Sequence, residues 1–188
     1  MSQTKILVDS CSYFRLAQNV HPLLAVSFGE ANYTLYAHEE LTEEFSRTPR
    51  LQTKFSWVLQ KDYAENLSRP LLIGRKEKKE IAKVFEFMWE HVVDENLGPS
   101  RVDVRILATA SELQLRMVTD DCDLLDLAEQ YGVHAMTSLE LLQLMIQEEH
   151  IDMDKVRQVA AQWIYDKECP SKFFGDYCRL FGEKPPKE

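Results

Sequence analysis

The stretch Arg101–Gln143, RVDVRILATASELQLRMVTDDCDLLDLAEQYGVHAMTSLELLQ, decides the fold. It alternates helix, strand, helix, strand, helix in elements so short that only a parallel α/β core accommodates them. Asp103, Ile106, Leu107 and Ala110 fall at i, i+3, i+4 and i+7, so a carboxylate opens an otherwise apolar helical stripe. LRMVT (115–119) reads as a short strand running onto Asp120, Asp121 and Asp123. DLLDLAEQYG (123–132) is a helix closed by Gly132. VHAMT (133–137) is a second strand, and Ser138 is the expected cap of the next helix. Carboxylates are thus aimed at one edge of a sheet, where open α/β folds bind ligands.

Outward from this stretch, KILVD (5–9) is a buried-strand pattern that ends on Asp9, followed by Ser10. SYFRLAQNV (12–20) is helical and stops at His21-Pro22. LLAVSF (23–28) fits a helix continuation or a short strand, whereas YTLYA (33–37), aromatic and β-branched, is a strand. HEELTEEFSR (38–47) is a helix with Leu41 and Phe45 on its inner stripe and Glu40 and Glu44 one turn apart. Residues 50–98 read as helical, chiefly LQTKFSWVLQ (51–60) and RKEKKEIAKVFEFMWEHVVDEN (75–96). Ser100 and Asp103 have capping-box spacing. Helices over 138–150, 152–167 and 171–182 and a disordered tail, 183–188, complete the chain.

The expected fold is a three-layer α/β/α sandwich with a central parallel sheet of four or five strands, near 5–8, 33–37, 115–119 and 133–137. Residues 1–150 form the main domain, with the helical segment 50–98 inside it. Residues 151–188 are a helical extension packed on the same domain. A length of 188 residues suits one such domain.

Acids outnumber bases 31 to 22, a net charge of −9 that argues against a binder coating nucleic-acid phosphates with a basic face. It does not argue against an enzyme that recruits metal ions to a carboxylate pocket. There is no run of 18 apolar residues, and MSQTK lacks a signal-peptide profile, so a cytoplasmic protein without a membrane partner is expected. Four cysteines without C-x-x-C spacing indicate neither a zinc site nor a disulfide framework. No glycine-rich phosphate loop and no H-x-x-x-H pair occur.

The chemistry rests on acids that recur at strand ends and helix starts: Asp9, Glu44, Asp103 and Asp121. With parallel, adjacent strands all four project into one crevice. Carboxylates within about 4–6 Å of one another need a counter-charge. A hard divalent cation, Mg²⁺ or Mn²⁺, supplies it and activates water for attack on a phosphodiester. Each acid also has a plain role. Asp9 suits a helix N-cap, Asp103 a capping box, Asp121 or Asp123 the cap of the 123–132 helix, and Glu44 a solvated helix surface. Arg75, Lys76, Lys78 and Lys79, with Arg101 and Arg105 near the crevice mouth, form the expected RNA path; the alternative is that they pair with surplus surface acids.

The order ILVDS…HEELTEEF…VDVRILATA…MVTDDCDL…GVHAMTS resembles the PIN-domain nucleases, including VapC-type toxins of toxin–antitoxin pairs, over roughly residues 4–145. Its most specific pieces are D-x-x-I-L-A-T-A at 103–110 and V-T-x-D-x-D-L at 118–124. The resemblance implies a metal-dependent endoribonuclease whose first strand is central and next to 115–119. It implies Asp9, Glu44, Asp103 and Asp121 as catalytic acids, with Asp9, Asp103, Asp121 and Asp123 on Mg²⁺ or Mn²⁺. Ser10 and Thr119 would be auxiliary, and Glu40 and Glu43 are close rivals of Glu44. Implied partners are an RNA substrate, an antitoxin or other protein, and a second copy of the chain. The segment before Asp103 and the C-terminus are longer than in the small toxins. A catalytically silent PIN-like interaction module is the other reading.

Overall fold

The structure is a computed structural model and describes residues 3–187. The strands are β1 (Thr4–Val8), β2 (Ser27–Phe28), β3 (Tyr33–Ala37), β4 (Arg116–Val118) and β5 (Ala135–Met136). The first five helices are α1 (Ser10–Leu16), α2 (Glu39–Arg47), α3 (Pro49–Lys54), α4 (Lys61–Leu67) and α5 (Arg75–Asp94). The others are α6 (Arg101–Glu112), α7 (Cys122–Gln130), α8 (Ser138–Gln147), α9 (Met153–Asp166) and α10 (Phe173–Phe181).

The five strands form one sheet in the order β2-β3-β1-β4-β5. As expected, β1 is central and parallel to β4, with Leu7 opposite Met117 and Val8 opposite Val118. It is also parallel to β3, and β4 is parallel to β5. The exception is β2, antiparallel to β3. Residues 29–32 make a four-residue hairpin, with Gly29 and Asn32 at positive φ, and a hairpin joins only antiparallel strands. Thus 23–28, which the apolar pattern left open, ends as a two-residue edge strand.

Strand alternation splits the core in two. Ile6 and Val8, with Val118 and Met136, face a cluster filled from α1, α2, α8, α9 and α10. Leu7 and Met117 face the other, where Ile81, Phe85, Met88 and Val92 of α5 pack with Val104, Ile106 and Leu107 of α6 and Leu124, Leu127 and Ala128 of α7. Both faces of the sheet are covered, as a largely parallel sheet requires.

Three sequence expectations shift. The helix expected over 12–20 starts at Ser10, because the Asp9 side chain caps it, and ends at Leu16. The 51–60 helix does not form as one piece. α3 stops at Lys54, and a 3₁₀ turn, Ser56–Leu59, follows. Between them Phe55 stacks on Phe14 with ring centroids 4.4 Å apart and planes at 4°, so a long-range contact overrides helical continuation. The cap of α8 is Thr137, in a reciprocal box with Glu140, while Ser138 is already helical and buried. Within the tail expected to be disordered, Glu183 is held by Arg157 at 2.8 Å and by the Tyr177 hydroxyl at 3.0 Å; residue 188 lies outside the described residues. No helix among the described residues is long and apolar enough to cross a membrane.

Candidate active site

Strand β1 ends at Val8, and the chain turns at Asp9 into α1. Asp9 is 3% exposed. One carboxylate oxygen accepts the Ser12 N–H at 2.6 Å and the other accepts the Thr119 hydroxyl at 2.6 Å. Its backbone N–H reaches Val118 O at 3.1 Å, so the residue stitches the end of β1 to the end of β4. Burial pushes the Asp9 carboxyl up to about 6 against the pull of these hydrogen bonds, and the nearby Asp120 adds to the rise. No cation of the protein pairs with Asp9 among the described residues.

Thr119 is fully buried, and its oxygen accepts the Asp121 N–H at 3.2 Å. One threonine therefore positions both Asp9 and Asp121. Asp121 is the N-cap of α7, with one carboxylate oxygen accepting the Leu124 N–H at 2.9 Å. Asp103 takes the Ser100 N–H at 2.9 Å in the capping box of α6. The plain capping roles of Asp9, Asp103 and Asp121 are thus realised, on the same residues that the sequence placed at the sheet edge. Desolvation pushes the Cys11 thiol up to about 11, and the charges of Asp9, Asp103 and Glu44 add to the rise against the pull of Arg15.

The three glutamate rivals part company in space. Glu40 pairs with Arg105 at 2.6 Å, and Glu43 pairs with Arg47 at 3.0 Å along α2. Glu44 lines a cavity together with Ser10 and Cys11. The Ser10 hydroxyl is buried without a hydrogen-bond partner. Asp123, in the first turn of α7, lies against the loop before α6, its carboxylate 1.9 Å from where a Cβ on Gly98 would stand.

Of the basic residues of the expected RNA path, Lys78, Arg101 and Arg105 are engaged with the protein, whereas Arg75, Lys76 and Lys79 are exposed without an ion pair among the described residues. Arg105 adds to its Glu40 contact a stacking over Phe85 at 4.8 Å, and Arg101 lies over Phe85 at 5.2 Å and Trp89 at 5.7 Å. Lys78 pairs with Glu39 at 3.0 Å, while Lys79 is exposed with no ion pair among the described residues. Arg101, Lys78 and Lys79 are all exposed.

Sequence reading did not single out Asp120 or Arg15. Arg15 meets Asp120 at 2.8 Å, and Asp120 also accepts from the Ser138 N–H at 2.9 Å and the Ser138 hydroxyl at 2.7 Å. Arg15 further donates to Glu168 O at 3.0 Å, and its own carbonyl accepts from Trp163. This knot ties α1, β4, α8 and the end of α9 together. Partners 105 residues apart leave no local signal.

The donors at the edge are of the kind a hard cation takes, carboxylate and hydroxyl oxygens. One oxygen each of Asp103 and Asp121 makes no hydrogen bond to the described residues, and buried Asp9 lacks a counter-charge. In chemistry these residues fit Mg²⁺ or Mn²⁺. In placement, among the described residues, no three His, Cys, Asp or Glu side chains stand close enough together to hold a metal ion.

Fold and site together define an α/β/α sandwich with a carboxylate-lined sheet edge. No protein-family model matches the chain, and no curated protein matches it. Among solved structures it is similar to FitAcB from Neisseria gonorrhoeae, with 14% identity, a TM-score of 0.47, and coverage of 71% of this chain and 98% of that one. A likeness of that size fixes neither family nor activity.

Proposed function

We propose that this protein is a Mg²⁺- or Mn²⁺-dependent endoribonuclease that hydrolyses RNA phosphodiester bonds at the edge formed by Asp9, Glu44, Asp103 and Asp121, and that it serves as the toxin of a toxin–antitoxin pair. The observation that carries the reading is Asp9. It is a carboxylate buried at the end of the central strand with no cation of the protein beside it among the described residues, and the neighbouring charge that acts on it is another acid, Asp120. Such a group is costly to a fold, and a bound cation would offset that cost.

In this reading Asp9, Asp103 and Asp121 hold the ion, with Asp123 and Glu44 completing the shell. The bound cation would supply charge for the phosphoryl oxygens and a water of lowered pKa. Thr119 fixes Asp9 through its hydroxyl and Asp121 through its oxygen, so two of the acids share one anchor. α1 and α7 present their N-termini at the same edge, where their dipoles favour the negative charge of phosphate. Glu44 itself lines a cavity with Ser10 and Cys11. An antitoxin, or a second copy of the chain, would dock as a protein partner.

One observation favours a second reading, a catalytically silent interaction module: Asp9, Asp103 and Asp121 each spend an oxygen on a helix cap, and no three acids converge. Two measurements separate the readings. The first expects a raised melting temperature in millimolar Mn²⁺, absent in Asp9→Asn, and Mn²⁺-dependent RNA cleavage by the wild type. No shift and no cleavage would leave the silent module.

A further inference from the structure

We propose that the outer face of α5 is a self-complementary interface, on which two copies of this chain pair antiparallel about a two-fold axis. The inference does not depend on the ribonuclease reading, which concerns the sheet edge.

α5 (Arg75–Asp94) packs chiefly against α6, and its inner stripe, Ile81, Phe85, Met88 and Val92, is buried. Lys76, Lys79, Lys83, Glu86, Glu90 and Asp94 follow one another at intervals of three or four residues. They form a second stripe along the opposite side of the helix, and all six are exposed. The sign of this stripe changes once, at its midpoint, with the lysines in the first half and the acids in the second.

Plainer readings account for this poorly. A helix that uses surface charge for its own stability carries acids in its first turns and cations in its last, as the macrodipole favours. The stripe on α5 runs the other way. Its charges also find few partners within the chain. Lys83 lies 2.9 Å from Glu80 and Glu86 lies 4.0 Å from Arg101, both exposed pairs of little worth. Lys76, Lys79, Glu90 and Asp94 make no ion pair among the described residues. An RNA backbone laid along this face would meet the acids directly after the lysines, which phosphate does not favour.

An antiparallel copy answers all six charges. With the two-fold axis beside residue 85, Lys76 falls opposite the partner's Asp94, Lys79 opposite the partner's Glu90 and Lys83 opposite the partner's Glu86. Each pair recurs by symmetry, as an isologous contact requires. A parallel pairing would set like charges side by side. Phe87 adds an apolar centre. It is 66% exposed, and its contact with Tyr131 is edge-on, with centroids 6.2 Å apart at 84°. Two residues from the axis and on the same flank in both copies, it comes within about 6 Å of the partner's Phe87 along the helix direction, a spacing at which aromatic rings pair.

The test is sedimentation velocity of the full chain at low and at high salt. The wild type should dimerise, and more weakly as salt rises. One variant carries Lys76→Glu, Lys79→Glu and Lys83→Glu; the other carries Glu86→Lys, Glu90→Lys and Asp94→Lys. Each fills the stripe with one sign and should lose self-association by about a hundredfold. Mixed in equal amounts, the two should form a heterodimer, a result that misfolded variants cannot give. If either triple variant melts early, the single reversals Lys79→Glu and Glu90→Lys replace the pair. A wild type that is monomeric at both salts, or a dimer that both variants keep, would overturn the interface. So would variants that lose self-association but form no heterodimer when mixed. Loss of single-stranded RNA binding by the lysine-reversed variant with no change in association would also overturn it and give the stripe to RNA. Mn²⁺-dependent cleavage is scored separately: a monomer that cleaves keeps the ribonuclease reading and ends this one, whereas a dimer that does not cleave does the reverse.

Discussion

Two buried aspartates at the same sheet edge lead opposite lives. Asp120, 9% exposed, is met by the Arg15 guanidinium and by two donors of Ser138, so its charge is answered from within the fold. Asp9, 3% exposed, has hydrogen bonds from Ser12 and Thr119 but no cation, and its carboxyl is pushed up to about 6. The contrast separates an acid that holds the structure together from one that the structure holds ready. Burial alone does not mark a functional carboxylate; the role proposed for Asp9 rests on burial without a counter-charge among the described residues.

The largest effect is expected in catalysis. Asp9→Asn should lower Mn²⁺-dependent RNA cleavage by about two to three orders of magnitude, the scale of several kcal/mol of lost charge stabilisation. Asp120→Asn, adjusted for the fraction folded, should leave the cleavage step near wild type. Equal losses in single-turnover assays of the two variants would erase the distinction between these acids.

Next comes the stability of the knot. Arg15→Ala leaves Asp120 buried and unpaired and removes the hydrogen bond to Glu168 O, at a cost of about 3 kcal/mol. Urea denaturation should show the lowered midpoint. A change under 1 kcal/mol would mean that Asp120 finds other compensation.

Of similar size and opposite sign is the stability of Asp9→Asn. The folded-state pKa of Asp9, about 6, lies above its ordinary 3.8, so between these values the folded chain binds more protons than the unfolded one. Wild-type stability from this group therefore falls as pH rises from about 4 to 6, and the deficit is complete above 6. Asparagine keeps both hydrogen bonds, since its oxygen can take the Ser12 N–H and its amide can donate to the Thr119 oxygen. In EDTA the variant should be more stable than wild type by up to about 3 kcal/mol at pH 7.5 and by nothing at pH 4. A gain that did not depend on pH would rule out the titration as its cause.

The smallest effect is at the edge of the knot. Ser138→Ala removes one of three donors to Asp120 and should cost about 1 kcal/mol, a melting shift of about 2–4 °C by calorimetry. A larger loss would show that the serine hydroxyl holds Asp120 more strongly than one neutral hydrogen bond does.

The architecture was legible because its signals are local. Alternating apolar runs located β1, β3, β4 and β5, and the helical stripe of 103–110 matched the buried Ile106, Leu107 and Ala110 of α6. The positions of Asp9, Asp103 and Asp121 at the ends and starts of elements were legible for the same reason, whereas Glu44 lies within α2. The plain roles proved equally legible, because capping depends on a side chain and an N–H three residues on. Less visible was the break at Phe55, where a stack on Phe14, 41 positions away, outcompetes helix propensity. The antiparallel β2 was hidden likewise, since a two-residue strand has no period to read.

By itself the sequence determined that the chain builds a parallel α/β core and where its acids fall relative to strand ends, since hydrophobic period and turn chemistry act over a few residues. Only the tertiary structure decided which acid is answered and which is not. It set Glu44 beside Ser10 and Cys11 while sending Glu40 to Arg105, and it brought Arg15 to Asp120 across 105 residues. It also assembled a partly aromatic cavity from Phe14, Phe55, Trp57 and Trp163, residues that belong to three separate segments. Counter-charge and concavity are properties of neighbours in space, and chain order carries no record of them until the sheet and its helices close around the same point.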